Sequence, residues 1–163
     1  MKAIYAGSFD PPTLGHDWMI EEARGMFGSL IVAVGINAAK KTMFTVEERI
    51  KMLKDMYGDK VIVDSFEGEF LIHYAIRKQA YYLVRGIRSV TDFEYEQGMR
   101  HINNDINSEI TTVFLMPPRN LSEVSSSLVK GLIGPTGWRD VIKRYVPDIV
   151  YQKFIDRFGN ETH

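Results

Sequence analysis

Residues 7 to 16 read Gly-Ser-Phe-Asp-Pro-Pro-Thr-Leu-Gly-His, and their types suit anion chemistry. Gly7 lets a ligand approach the backbone closely, and Ser8 places a hydroxyl beside it. Gly15 and His16 open a helix, whose free N–H groups and positive dipole end favour phosphate. A purely structural reading covers the same residues: Thr13 caps the helix and His16 is hydrogen-bonded in the core. No Gly-Lys-Ser/Thr follows, so the segment is not a P-loop.

Three further segments seek anions. Lys40 and Lys41 stand in Asn-Ala-Ala-Lys-Lys-Thr-Met-Phe, either as a solvated loop or as phosphate contacts. The run Tyr81-Tyr-Leu-Val84 ends in Arg85, with Gly86 and Arg88 close behind. A guanidinium at the end of a buried strand demands a partner, which is a phosphate or an acidic residue such as Asp92 or Glu94. In Val124-Ser-Ser-Ser-Leu-Val-Lys130 one serine serves as a helix N-cap. The other hydroxyls and the free N–H groups suit terminal phosphates, with Lys130 one turn further on.

What is missing narrows the chemistry. There is no evident Ser-His-Asp order, no His-Glu-x-x-His, and no Gly-x-Gly-x-x-Gly after the first apolar run. Zero cysteines exclude thiolate nucleophiles, disulfides and thiolate metal sites. Several anion-seeking groups without a nucleophilic side chain suit two phosphorylated ligands and a reaction at phosphorus, which needs alignment and charge neutralisation above all.

Positioning these groups falls to alternating elements. Short β-branched runs predict strands at Ala3 to Tyr5, Leu30 to Ile36, Val61 to Ser65, Tyr81 to Val84 and Thr112 to Met116. Helical periods predict helices at Gly15 to Phe27, Thr45 to Tyr57, Glu69 to Gln79 and Thr91 to Ile106, then after Ser125 and toward Phe158. Thr45 with Glu48 is a capping-box pattern. His16, Met19, Ile20, Ala23 and Phe27 form one inward stripe. The expectation is a single α/β domain over residues 1–163, a doubly wound parallel five-stranded sheet with C-terminal helices. In such sheets ligands sit beyond the carboxyl ends of the strands, where the winding reverses.

The chain has 163 residues, 45% hydrophobic and 25% charged, with 20 basic and 21 acidic side chains and a net charge of −1. That composition is globular and argues against a nucleic-acid partner or an anionic membrane surface. The longest apolar stretch, Leu30 to Val34, is too short to span a bilayer, and nothing after Met1 forms a signal-peptide core. The expected location is the cytoplasm, with the mature chain beginning at or near Met1.

Taken in order, Ala3 to Pro11, Thr13-Leu-Gly-His16, Lys40 to Arg49, Val84-Arg-Gly-Ile-Arg88, Asp92-Phe-Glu-Tyr-Glu96, Val113 to Pro117 and Ser125 to Lys130 resemble the bacterial phosphopantetheine adenylyltransferases. These are nucleotidyltransferases with a Thr/His-x-Gly-His signature and a Rossmann-like fold. The resemblance implies transfer of the adenylyl group of ATP to 4'-phosphopantetheine with Mg2+, giving dephospho-coenzyme A and pyrophosphate. It also implies a homo-hexamer, with dephospho-coenzyme A and coenzyme A as product and feedback ligands.

Position by position, the resemblance gives His16 the transition-state role at the α-phosphate, with Lys40 and Arg88 as its catalytic companions. Ser8, Lys40, Leu71 and Arg85 fall at acceptor-binding positions, Arg85 as anchor of the acceptor phosphate and Leu71 on the segment before the third helix. Ser8, Phe9, His16, Gly86, Ile87, Arg88, Glu96 and the stretch Leu121, Ser122, Glu123, Val124, Ser125, Ser126 and Ser127 fall at ATP positions; no protein metal ligand is implied. Leu121 and Glu123 depart from the aromatics common there. Two rivals are another nucleotidyltransferase of the superfamily, such as one acting on nicotinamide mononucleotide, and a non-catalytic nucleotide sensor.

Overall fold

In the computed structural model, which describes residues 1–37 and 41–159, five parallel strands form one sheet in the order β3-β2-β1-β4-β5. The strands are β1 (Lys2–Gly7), β2 (Ser29–Ile36), β3 (Ile62–Glu67), β4 (Tyr82–Gly86) and β5 (Thr111–Leu115). The helices are α1 (Leu14–Met26), α2 (Val46–Tyr57), α3 (Leu71–Arg77), α4 (Val90–Ile106), α5 (Ser126–Gly131), α6 (Trp138–Ile142) and α7 (Asp148–Phe158).

Central strand β1 shows why its sequence reads as a continuous apolar run. Ala3 and Tyr5 face the cluster built with Met19, Ile20 and Ala23 of α1 and Leu53 of α2. Ile4 and Ala6 face the opposite cluster, with Ile72, Tyr74 and Ala75 of α3. A parallel strand covered on both faces has no polar side to alternate with. Both predicted caps form: Thr13 and His16 bond reciprocally at the start of α1, and Thr45 and Glu48 do so at α2.

The sheet and the doubly wound order match the expectation, with two shifts that matter. β4 runs on to Gly86 rather than ending at Val84, because Arg85 and Gly86 pair with Phe114 and Leu115 of β5. Leu71 is the first residue of α3, not part of a preceding segment, and Phe70 is its N-cap. The helix starts there because Gly68 turns the chain with a φ of +69°, a left-handed conformation suited to glycine.

The C-terminal helices pack on α2 through a third cluster that includes Phe44, Met52, Val129, Trp138, Ile142 and Phe154. Phe154 is wholly buried and meets the Phe44 ring edge-on at 5.4 Å. Phe154→Ala is expected to cost about 3–5 kcal/mol, the usual range for emptying a buried aromatic site, read as a lowered midpoint of urea unfolding.

Candidate active site

The site begins where two strands part. β1 and β4 are paired from Ala3↔Tyr82 to Tyr5↔Val84. Beyond that point Ala6 and Gly7 pair only with β2, while Arg85 and Gly86 pair only with β5. A carbonyl freed inside a sheet needs a new donor. Arg85 supplies it, with Nη1 donating to the Ala6 carbonyl at 3.1 Å.

The same guanidinium donates from Nε to Glu96 Oε2 at 2.8 Å and from Nη2 to Glu96 Oε1. Burial works against the charge on Arg85, but the Glu96 carboxylate outweighs it and holds the arginine above its ordinary pKa. The expected structural partner was Asp92 or Glu94; it is Glu96. On α4 the inward stripe is Asp92, Glu96, Met99 and Asn103, at helical spacing, and Glu94 lies outside that stripe and is exposed. Asp92 pairs instead with Arg88, through Nε at 3.1 Å and the Arg88 backbone N–H at 3.1 Å. Of the five guanidinium N–H groups of Arg85, two remain for a ligand.

Two cavities flank this pair. One, of about 240 Å³, is walled by Gly7, His16, Arg88, Leu121, Ser125 and Ser126, among others. The other, of about 220 Å³, is walled by Phe66, Phe70, Leu71, Met99 and Asn103 with their neighbours. Ala6, Gly7, Arg85, Tyr95 and Glu96 belong to both. The parted strands therefore give two compartments with a common boundary at Gly7 and Arg85.

His16 is fixed as a neutral donor. Its Nδ1 accepts from the Thr13 backbone N–H at 3.1 Å and lies 3.0 Å from the Thr13 hydroxyl. An accepting Nδ1 carries no proton, so the proton sits on Nε2. Burial, and then the nearby Arg88 charge, push its pKa down to about 4. The ring rests against Phe9 at 5.0 Å.

The loop between β1 and α1 is held from every side. The Ser8 carbonyl accepts from Arg49 Nη1 at 2.7 Å. The Asp10 carboxylate takes the N–H groups of Met43 and Phe44, at 2.9 and 2.8 Å, and Lys130 Nζ at 3.1 Å. Ser126 donates to the Pro11 carbonyl at 2.8 Å. Glycine suits position 7, since a Cβ there would come within 3.2 Å of the Phe9 ring, tighter than most such contacts.

Of the residues singled out from the sequence, His16, Arg85, Gly86, Arg88, Glu96, Leu121, Val124, Ser125 and Ser126 gather around the first cavity, and Leu71 lies in the second. Ser8, Phe9, Ile87, Ser122, Glu123 and Ser127 line neither. Phe9 is wholly buried, so its ring backs His16 and only its backbone can meet a ligand. Lys130 is tied to Asp10 rather than left for phosphate, and the hydroxyls of Ser125 and Ser126 already serve a cap and the Pro11 tie. Lys40 lies outside the described residues.

The sequence gives no site signal for Tyr5, Met99 or Asn103, whereas the stretch Phe66 to Leu71 follows a predicted strand and Tyr95 lies in the first turns of the fourth helix, both at the edge where such sheets bind ligands. The α4 stripe was legible from its spacing only once Glu96 was known to point inward. Among the described residues no three acidic or histidine side chains gather as a metal cluster. No described helix is long and apolar enough to cross a membrane.

Comparison with known proteins adds the following. Residues 4–132 match the cytidylyltransferase-like family. The chain is 56% identical to a phosphopantetheine adenylyltransferase of Neisseria meningitidis serogroup C, over 99% of this chain and 96% of that one. It is 51% identical to the phosphopantetheine adenylyltransferase of Chromobacterium violaceum, over 98% and 99%. A solved nicotinic acid mononucleotide adenylyltransferase of Plasmodium falciparum, complexed with NaAD, superposes with a TM-score of 0.71 at 16% identity, covering 96% of this chain and 95% of that one. At that identity the likeness concerns the fold.

The state of His16 has a measurable consequence. An unfolded histidine titrates near 6.5, whereas the folded one titrates near 4. Between those values only the unfolded chain holds the proton, so His16 contributes stability above pH 6.5 that is lost as pH falls toward 4. The loss approaches about 3 kcal/mol, at 1.36 kcal/mol per unit. In urea unfolding of the ligand-free protein, His16→Asn, which keeps an acceptor for the Thr13 N–H, is expected to remove most of this acid sensitivity; an unchanged profile would show that His16 is not its source.

Proposed function

The chain belongs to the phosphopantetheine adenylyltransferase family, within the cytidylyltransferase-like proteins, and we propose that the two cavities divide the family's substrates, ATP in the first and 4'-phosphopantetheine in the second. The reaction is transfer of the adenylyl group of ATP to 4'-phosphopantetheine, in coenzyme A synthesis. The observation that carries the division is the shared wall: Gly7, Arg85 and Glu96 border both compartments. Two ligands meeting there bring a phosphate of one against a phosphorus of the other.

Arg85 holds the acceptor phosphate with its two remaining N–H groups, at the boundary. An ionised phosphate oxygen attacks the α-phosphorus of ATP; a P–O bond forms as the bond to the β-phosphate bridging oxygen breaks, and pyrophosphate leaves with the electron pair. The nucleophile is already an anion, so no side chain has to take a proton. The neutral His16 offers Nε2–H to an α-phosphate oxygen, where charge builds as the bonds exchange. One such donor is worth on the order of 10²- to 10³-fold in rate.

Arg88 leaves Asp92 for the triphosphate. Its ion pair with Asp92 is partly exposed, and such pairs are weak enough to yield. Lys40 and Ser8 complete the set by the family correspondence, and Ser125 and Ser126 stand along the phosphate path. Leu121 and Val124 border the nucleotide with Gly86. The second cavity takes the pantetheine arm along Leu71, Phe66, Phe70 and Met99.

Mg2+ would supply charge neutralisation at the phosphates of ATP. It prefers phosphate oxygens and water with few protein carboxylates, which agrees with a site built of cations and hydroxyls. Two described carboxylates near the path are committed, Asp10 to Lys130 and two N–H groups and Glu96 to Arg85. The whole chain acts as one domain, in the cytoplasm, as a homo-hexamer that dephospho-coenzyme A and coenzyme A also bind. The apolar side chains that α4 leaves exposed, Phe93, Ile102 and Ile106, support association.

With ATP and Mg2+, pyrophosphate release is expected with 4'-phosphopantetheine and not with nicotinamide mononucleotide or glycerol 3-phosphate. Equal rates with all three acceptors would refute the substrate assignment. Arg85→Ala strands the Glu96 carboxylate and is expected to cost about 3–5 kcal/mol of stability. Adding Glu96→Gln restores most of that stability but leaves the phosphopantetheine KM raised at least about tenfold, the worth of a charge-assisted pair of hydrogen bonds. A normal acceptor KM in the stable double variant would remove Arg85 from phosphate binding.

A further inference from the structure

Arg49, on α2, is 2% exposed. Its Nη1 donates to the Ser8 carbonyl at 2.7 Å and its Nε to the Thr45 carbonyl at 3.2 Å. Among the described residues no carboxylate lies within ion-pair distance of it. Asp10 and Glu47 act on it through space, and burial holds it below its ordinary pKa. Burying a guanidinium without an ion pair costs several kcal/mol, far more than one ordinary bond to a helix carbonyl returns. The contact that sets Arg49 apart is the one reaching out of α2 to the loop after β1.

That contact fixes a peptide plane. Of the peptide bonds in this loop only Asp10–Pro11 is cis. In the trans Ser8–Phe9 unit the C=O and N–H point in opposite directions. Pinning the Ser8 carbonyl on Arg49 therefore turns the Phe9 N–H away from α2. Phe9 has a φ of +47°, a left-handed conformation that is strained for a non-glycine residue. Its ring, buried between Gly7 and His16, holds it there. Successive N–H groups around a left-handed residue form a concavity suited to anions.

We propose that Arg49 is a positioning residue for adenylyl transfer: it holds the Ser8–Phe9 peptide so that the Phe9 N–H faces the phosphates of ATP, and it sets a buried positive charge behind that loop. The assignment rests on the placing of ATP in the first cavity, beside Gly7. The second cavity takes its walls from β3, α3 and α4 as well as the parted strands, and none of them bonds to Arg49. Its effect therefore falls on ATP and on turnover far more than on the acceptor, whose phosphate is anchored by Arg85.

Initial rates with both substrates varied, and thermal unfolding, in wild type, Arg49→Met and Arg49→Lys test this. Arg49→Met keeps the aliphatic stem and removes the donors; kcat/KM for ATP is expected to fall at least tenfold, with the phosphopantetheine KM within twofold. Arg49→Lys keeps the charge but cannot span both carbonyls, and is expected to fall between, three- to tenfold below wild type. Wild-type kcat/KM for ATP in either folded variant overturns the proposal, as does a parallel rise of both KM values, which is what mere loosening gives. Should Arg49→Met not fold, Arg49→Lys decides on the same two readouts. Failure of wild type to release pyrophosphate with phosphopantetheine would instead overturn the substrate assignment, and the series would then be read on the acceptor wild type does use.

Discussion

Everything at this site depends on the parting of β1 from β4 after Tyr5 and Val84. The winding reverses between these strands: α1 and α2 cover one face of the sheet, and α3 covers the other. Past the last shared pair, Ala6 and Arg85 belong to different halves of the sheet, and the backbone between them has no strand partner. An open seam in a buried sheet is tolerable only if its polar groups find other donors. Arg85 closes it at the Ala6 carbonyl, and the charge that Arg85 brings is tolerable only because Glu96 meets it from α4. Seam, arginine and carboxylate are thus one unit, and the same unit is the wall between the two cavities.

The cations around this seam differ in how firmly they are held. Glu96 is 7% exposed, and its bidentate bond keeps Arg85 in place whether or not a ligand is present. Lys130 is tied to an Asp10 that is itself buried and bonded to two backbone N–H groups. Arg88 is held by a partly exposed ion pair with Asp92, which water reaches and screens. The first two arrangements are scaffold, and only the third is easily exchanged. This grading resolves an apparent contradiction in a chain of net charge −1 that binds phosphates. The charge balance describes the whole chain, whereas the proposed phosphate contacts fall to a few cations whose partners hold them unequally.

The sequence made the scaffold plain and the pairing obscure. Strand runs and helical periods placed all five strands within a few residues, because parallel strands buried on both faces leave uninterrupted apolar stretches. Thr13 with His16 and Thr45 with Glu48 formed as local spacing predicts, since caps involve neighbours in the chain. Partners distant in sequence were another matter. Lys130 looked free for phosphate until the fold brought Asp10 beside it, and the Phe9 ring, buried against Gly7 and His16, leaves only its backbone to meet a ligand. Glu94 and Glu96 cannot be ranked as partners of Arg85 without knowing which stripe of α4 turns inward. That orientation is set by packing against the strand ends, which no local pattern encodes.

One compositional fact gains meaning from the second cavity. The acceptor proposed for it ends in a thiol, and thiols exchange with cysteine and disulfide sulfur through mixed disulfides. The 163 residues contain no cysteine. Along the arm's path the one described sulfur is the thioether of Met99, which cannot take part in exchange. The apolar wall of Phe66, Phe70, Leu71 and Met99 can therefore lie against a reactive substrate without a competing covalent reaction. Zero cysteine, which at first only narrowed the catalytic possibilities, is on this reading a property suited to the ligand: a thiol-bearing arm can enter and leave unmodified.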